Sequence, residues 1–325
     1  MVQFTVLASG SKGNSALLAT SSTRILVDAG LSGRELFRRM SLAGHDPATL
    51  DAIVITHEHS DHVQGMAAIA RKLGIPVYLT EGTHREWERL MRPRMRQTYA
   101  QWAEAYRARK AADSAACAAM TEEGVIEALE AMAAGPPGIQ APLPTEPIED
   151  ESRPDPARLP EVRYVRAGER FALGDIEVHP FTIPHDAADP VGYVFCAEGA
   201  RLAVATDLGY MPPNVVAQLQ DCDLLMLESN HDLEMLRDGP YPWSVKQRVL
   251  SRVGHLSNDA AAEFLEQSWD GKAGYVILAH LSESNNLPEL ARLAAERALA
   301  SHGAGLSERR LLLARQEEAL ETVSL

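Results

Sequence analysis

The chain has 325 residues, a hydrophobic fraction of 46% and a formal net charge of −14. That apolar share suits an ordinary globular core, and no run of about 18 apolar residues is present to span a bilayer. The acidic balance argues against indiscriminate binding of polyanions, while leaving room for a local basic track or a cationic metal centre that receives phosphate.

Met1–Leu7 has neither a basic leader nor a long apolar core, so it reads as the start of a first strand, Gln3–Ala8, and not as a secretory signal. The loop Ser9-Gly10-Ser11-Lys12-Gly13-Asn14-Ser15 follows. It is either a turn between strands or a phosphate cradle of backbone N–H groups, with Lys12 as a point charge and Ser11 and Asn14 beside it. Strands are expected next at Arg24–Asp28, Ala52–Thr56 and Pro76–Leu79, with helices at about Ser32–Ala43 and Val63–Leu73.

The middle of the chain has a different character. About His84–Ala134 is rich in Ala, Arg and Glu and should be helical, whereas Gly135–Pro160 is crowded with proline and acid and reads as a disordered, solvated linker. We expect one domain over 1–325, interrupted by this 84–160 insertion. Its helical part sets Arg85, Arg89, Arg92, Arg94, Arg96, Arg107, Arg109 and Lys110 against Glu86, Glu88 and Glu104, eight basic to three acidic side chains, a local +5. That is a phosphate-backbone track or a solvated helix face with internal ion pairs.

From about Val162 the strand-rich pattern resumes, with strands at Glu177–Thr182, Gly192–Cys196, Arg201–Thr206, Asp223–Leu227 and Tyr275–Ala279. Helices are expected at about Pro213–Leu219, Ser244–Arg252, Asn258–Gln267 and Leu287–Ala300. Short strands mixed with helices in both halves predict an α+β fold of two sheets packed face to face and covered by helices. The three cysteines, Cys117, Cys196 and Cys222, have no paired spacing, which fits a reducing cytoplasm and small buried side chains.

Chemistry is concentrated in Thr56-His57-Glu58-His59-Ser60-Asp61-His62, directly after the β-branched run Ala52-Ile53-Val54-Ile55. On an extended or turning backbone His57, His59 and Asp61 can face one way, while His62 turns in from the start of the next helix. Imidazoles with a carboxylate suit Zn²⁺ or a similar divalent ion, and suggest a hydrolytic site where a structural one would favour thiolates. His185, Asp207 and His280 each end an expected strand, and Asp can bridge two cations. Together these make a coherent set of seven ligands.

In these residues the chain resembles the metallo-β-lactamase fold: Asp28 in Leu26-Val27-Asp28-Ala29-Gly30, the His57–His62 cluster, His185, Asp207 and His280 follow in the order of that superfamily's motifs. It is more closely similar to the YycJ/WalJ branch through Gly10–Ser15, Pro184-His185-Asp186-Ala187, Leu227–Asp232, Gly254-His255-Leu256-Ser257-Asn258 and Ala279–Asn286. The 84–160 stretch departs from it, being longer than that branch usually carries there. The resemblance implies an αββα four-layer sandwich with the metals at one edge between the sheets, and a 5′→3′ exonuclease activity on double-stranded DNA. It implies His57, His59 and His185 on one metal, Asp61, His62 and His280 on the other, and Asp207 between them. Two Zn²⁺ or Mn²⁺ ions about 3.5–4 Å apart can hold a hydroxide between them for in-line attack on phosphorus, with Asp61 near the nucleophile. Asp28 is then expected behind the ligands, as acceptor for one of their imidazoles.

His255 resembles the histidine that protonates the leaving alkoxide in RNase Z-like members, and Glu228 its acidic partner. His231 is a candidate neighbour of Glu228. Ser257 and Asn258 open a helix, where they either donate to a substrate phosphate or simply cap the helix. The expected activity is therefore metal-dependent phosphodiester hydrolysis on DNA. Hydrolysis of a small ester, thioester or cyclic phosphodiester is the enzymatic alternative, and a metal-stabilised regulatory protein the non-catalytic one.

Overall fold

The computed structural model describes residues 1–91, 107, 155–301 and 310–325. The chain divides into two units, Met1–Met91 with Pro156–Leu325, and Arg92–Asp155. Nearly all of the second lies outside the described residues, and with it most of the expected linker and most of the expected helical insertion; the described end of the linker is held in place, Ala157 being buried and the Pro156 and Arg158 carbonyls accepting from Arg71 at 3.1 Å.

In the first unit, β1 (Gln3–Ala8), β2 (Ser15–Ala19), β3 (Arg24–Val27), β4 (Ala52–Val54), β5 (Val77–Leu79), β6 (Val162–Tyr164) and β14 (Val323–Ser324) build one seven-stranded sheet, ordered β14-β1-β2-β3-β4-β5-β6. A second contains β7 (Phe171–Leu173), β8 (Ile176–Thr182), β9 (Val191–Ala197), β10 (Ala200–Ala205), β11 (Leu224–Glu228), β12 (Tyr275–Ala279) and β13 (Arg310–Leu313), ordered β13-β12-β11-β10-β9-β8-β7. The helices are α1 (Gly33–Leu42), α2 (Ser60–Val63), α3 (Met66–Leu73), α4 (Glu81–Met91), α5 (Pro213–Gln218), α6 (Leu233–Asp238), α7 (Trp243–Val249), α8 (Asn258–Gln267) and α9 (Pro288–Ala300).

Side-chain alternation along the strands sorts their apolar residues into three layers of contact. Phe4, Val6, Leu18 and Val54 from the first sheet meet Val178, Tyr193, Val204, Met226 and Ile277 from the second, forming the core between sheets. On the outer face of the first, Leu17, Leu26 and Ile53 pack with Leu36 and Met40 of α1 and Met66 and Ile69 of α3. On the outer face of the second, Ala203, Leu225 and Leu278 pack with Phe264 of α8 and Ala291 and Ala295 of α9. This is the αββα sandwich. Burial on both faces explains why strands such as Leu224–Glu228 read as continuous apolar runs without polar alternation.

Several elements differ from the sequence expectation. The strands β6, β7 and β14 have three, three and two residues, too few for periodicity to register, and β2, β13 and α6 were likewise not anticipated. The single helix expected at Val63–Leu73 is two, α2 and α3, because the chain turns at Gly65. Its N–H donates to the Ala29 carbonyl at 2.7 Å, and a Cβ there would lie 2.3 Å from the Leu31 carbonyl oxygen. In the arginine-rich stretch, Arg85 pairs with Glu81 and Arg89 with Glu86 along α4. At Arg85 and Arg89 that stretch is thus a solvated face of internal ion pairs; Arg92, Arg94, Arg96, Arg109 and Lys110 lie outside the described residues.

Candidate metal centre and active site

The side chains singled out by sequence converge where strands end. Asp28 follows β3, His57 follows β4, His185 follows β8, Asp207 follows β10, Glu228 closes β11 and His280 follows β12. Because β10, β11 and β12 are mutually parallel, their carboxyl ends line one edge, where loops rather than backbone pairing decide side-chain direction. Asp28, Asp207 and His280 have φ of 58°, 61° and 56°. Such left-handed residues cost energy for most side chains, although Asp and His tolerate them best, and they turn the chain sharply from strand into site.

Asp61 does not continue the extended alternation expected of the histidine cluster. His59 caps α2 with φ −60° and ψ 146°, and both Asp61 and His62 lie in that short helix. The turn is held by Gly30 and Asn14: the Asp61 carbonyl accepts from Asn14 N at 2.7 Å, and Asn14 O accepts from Gly30 N at 2.9 Å.

Four imidazoles are fixed by the same device. A carboxylate or carbonyl can only accept, so the ring nitrogen facing it must carry the proton. His62 Nδ1 lies 2.8 Å from Asp28 Oδ2, His185 Nδ1 3.2 Å from the Gly254 carbonyl, and His280 Nδ1 2.9 Å from Glu228 Oε1. The Thr56 hydroxyl donates to Asp28 Oδ2 at 2.9 Å, so at 3.0 Å it accepts from His57 Nδ1. With Nδ1 engaged in this way, each ring turns Nε2 into the cluster as the nitrogen left to bind a metal. His57 Nε2 and His185 Nε2 stand 3.1 and 3.2 Å from His59 Nδ1. Those separations approximate the tetrahedron edge of about 3.3 Å that metal–nitrogen bonds of 2.0–2.1 Å demand.

The second group is similar: His62 Nε2 lies 3.5 Å from Asp61 Oδ2 and His280 Nε2 3.6 Å from the same oxygen. Asp207 approaches both groups, with Oδ2 3.3 Å from His62 Nε2 and Oδ1 4.0 Å from His185 Nε2. Asp207 Oδ2 and His280 Nε2 are buried without a hydrogen-bond partner. Buried polar atoms are seldom left so, and a cation would satisfy both. The donor set fits divalent metal.

Electrostatics point the same way. Burial alone would lower the His280 pKa, but the Asp207, Asp61 and Glu228 carboxylates outweigh it and push it up to about 10. Burial also opposes protonation of His62, yet Asp207, Asp28 and Asp61 raise it well above the usual imidazole range. His57, by contrast, is held well below that range by burial and by His62, His185 and His59. The carboxylates demand positive charge here, which protons meet when a metal does not.

Glu228 joins this ligand set to His255. Its Oε1 accepts from His255 Nδ1 at 2.8 Å as well as from His280, while Oε2 accepts from the backbone N–H groups of Leu208 at 2.8 Å and Leu256 at 3.2 Å. Burial would raise the Glu228 pKa, but His255 and His280 hold it well below the usual carboxylate range. The sequence suggested the contact with His255 but not the second bond to His280.

The remaining candidates divide. Asn14 is buried and points its amide at the ligands, with Nδ2 3.1 Å from both Asp61 Oδ2 and His62 Nε2. Ser11 and Lys12 are exposed, and Lys12 is paired with Glu283 at 2.7 Å. Ser257 caps α8 through Ala260 N, and Asn258 is enclosed in bonds with Ser229 and Asn286. His231 is buried near Glu228, but neither ring nitrogen has a hydrogen-bond partner. Thr56 was missed; only its position next to His57 hinted that its hydroxyl sets that ring.

The profile of the metallo-beta-lactamase superfamily matches residues 8–280. The sequence is 33% identical over 310 residues to exodeoxyribonuclease YycJ of Bacillus anthracis, covering 94% of this chain and 92% of that one. It is 31% identical over 304 residues to exodeoxyribonuclease WalJ of Streptococcus pneumoniae, covering 94% and 90%. Among solved structures, the metallo-beta-lactamase fold protein YhfI from Bacillus subtilis superposes with a TM-score of 0.59 at 13% identity, over 98% of each chain. A diphosphatase of the PhnP family superposes at 0.57 with 17% identity, over 100% of this chain and 98% of that one. At such identities these two likenesses bear on fold alone. Among the described residues no helix is long and apolar enough to cross a membrane.

Proposed function

We propose a DNA-degrading function for this chain, which belongs to the metallo-β-lactamase superfamily: a metal-dependent phosphodiesterase that removes nucleotides from double-stranded DNA in the 5′→3′ direction. Support for the substrate class comes from the two relatives named exodeoxyribonucleases, each aligned over 94% of the chain. Support for the chemistry comes from one contact in particular, the Glu228 carboxylate bound at once to His255 and His280.

His57, His59 and His185 would hold one divalent ion, and Asp61, His62 and His280 a second, with Asp207 between them. When bound, two Zn²⁺ or Mn²⁺ ions supply Lewis acidity to a phosphoryl oxygen and make water acidic enough to attack at neutral pH. The protein's own contribution is orientation and proton transfer. Asp28 and Thr56 fix the tautomers of His62 and His57, and Asn14 steadies Asp61. An alkoxide leaves phosphorus poorly without a proton, and His255 is built to provide one. Its Nδ1 is committed to Glu228, so Nε2 is the nitrogen that gives up the proton, a contribution of about 10²–10⁴-fold.

The test is incubation of end-labelled duplex DNA with the unaltered protein and with Asp61→Ala, under added Zn²⁺ or Mn²⁺. Nucleotide release from 5′ ends by the first and not the second is expected. Equal release by both would mark a contaminant, and none by either would refute the reading.

A further inference from the structure

Two arginines that the ligand set does not use, Arg248 and Arg252, stand on chain segments that meet the loops carrying His185 and Asp207. Three loops are joined there through backbone: Gly209 N donates to the Pro184 carbonyl at 3.0 Å, and Asp186 N to that of Val253 at 3.0 Å. A Cβ on Gly209 would lie 2.4 Å from the Arg252 carbonyl carbon, so this junction is too tight for other residues. It fixes the start points of Arg248, at the end of α7, and of Arg252 relative to His185 and Asp207.

Arg248 Nε donates to Asp186 Oδ2, and Asp186 Oδ1 is 3.4 Å from His185 Nε2. A single carboxylate thus separates the guanidinium from the ligand cluster. The Arg248 side chain is 58% exposed. Its pairing is of the solvent-accessible kind that water and salt weaken, and the other guanidinium nitrogens have no protein partner among the described residues. Arg252 is exposed, with its guanidinium carbon 4.2 Å from the centre of the Tyr210 ring. That contact holds the cation against the ring and uses none of its N–H groups in an ion pair. In a chain of net charge −14, two exposed arginines on segments joined to the loops of His185 and Asp207 need a reason.

We propose that Arg248 and Arg252 grip backbone phosphates of the nucleic acid flanking the one being cut, Arg248 exchanging Asp186 for a phosphate as substrate enters. This rests on the nuclease reading and adds to it the track the strand follows. Arg is suited to the task because its planar fork matches two phosphate oxygens at once. Asp186 keeps the guanidinium extended over the site in the free protein, where a polyanion can replace it.

The experiment measures binding of a fluorescent duplex with phosphorothioate ends to metal-replete protein across a salt series. The slope of log affinity against log salt should fall by about one for Arg248→Ala, by about one for Arg252→Ala and by about two for the double variant, since each phosphate contact contributes about 0.9. KM for DNA should rise about tenfold per substitution, more than kcat falls. Arg252 sits on an exposed turn, so its variant decides the matter if Arg248→Ala does not fold. Slopes equal to that of the unaltered protein, in a protein that still degrades DNA, would overturn this proposal alone. Unaltered protein that neither binds nor degrades DNA would overturn it together with the nuclease reading.

Discussion

His255 and His280 share one oxygen: Glu228 Oε1 lies 2.8 Å from Nδ1 of the first and 2.9 Å from Nδ1 of the second. A carboxylate with four donors around it cannot be replaced by an amide without turning an N–H toward another N–H. Glu228→Gln should therefore lower both turnover and metal retention, and reduce stability by about 1–3 kcal/mol for the donors left unpaired. His255→Ala should lower turnover on DNA by about 10²–10⁴-fold while its metal content after dialysis matches the unaltered protein. Elemental analysis beside kcat separates the two variants, and equal metal loss in both would refute the shared-acceptor account.

Asp28 ties the first sheet to the candidate ligands, accepting from His62 Nδ1 and from both the N–H and the hydroxyl of Thr56. Asp28→Ala removes that acceptor from a buried site, and metal affinity should fall about 10–100-fold, as for other partners behind ligand histidines. Competition with a chromophoric chelator measures it. Affinity unchanged within twofold would show that the His62 ring needs no such support.

Gly30 is required by contact, since a Cβ there would lie 1.6 Å from the Asp61 carbonyl oxygen and 2.5 Å from Asn14 N. Gly30→Ala must push α2 outward, carrying Asp61 and His62 with it. We expect a loss of about 3 kcal/mol in denaturant unfolding, the upper end for overpacking, together with weaker metal binding. Stability and metal content equal to those of the unaltered protein would mean that the loop relaxes freely.

His231 is buried, and burial lowers its pKa to about 4. Below the ordinary imidazole value of about 6.5 the unfolded chain takes up a proton that the folded chain refuses. Stability should therefore fall as pH drops from about 6.5 to about 4, by up to about 3 kcal/mol from this residue, and then level off. His231→Leu should flatten that limb when both proteins are unfolded with chelator present. Parallel profiles for the two proteins would exclude His231 as the cause.

Much of this protein could be read from the order of its residues, because ligand chemistry and burial leave local traces. Histidines spaced as His57, His59 and His62 after an apolar run announce a candidate metal site, and Gln3–Ala8 or Tyr275–Ala279 announce buried strands. The resemblance then set Asp28 behind the ligands and His255 beside Glu228. What no local pattern holds is a partnership across the fold. Glu228 acquires His280 as a second donor only because β11 and β12 lie side by side and end together, and Asn14 meets Asp61 only because Gly30 lets two loops touch. Arg248 is an ordinary helix residue until the loop after β8 brings Asp186 to it. Hydrogen bonds and ion pairs act over about 3 Å of space irrespective of separation along the chain. Sequence therefore named most of the groups, and packing of the two sheets decided which of them act on one another.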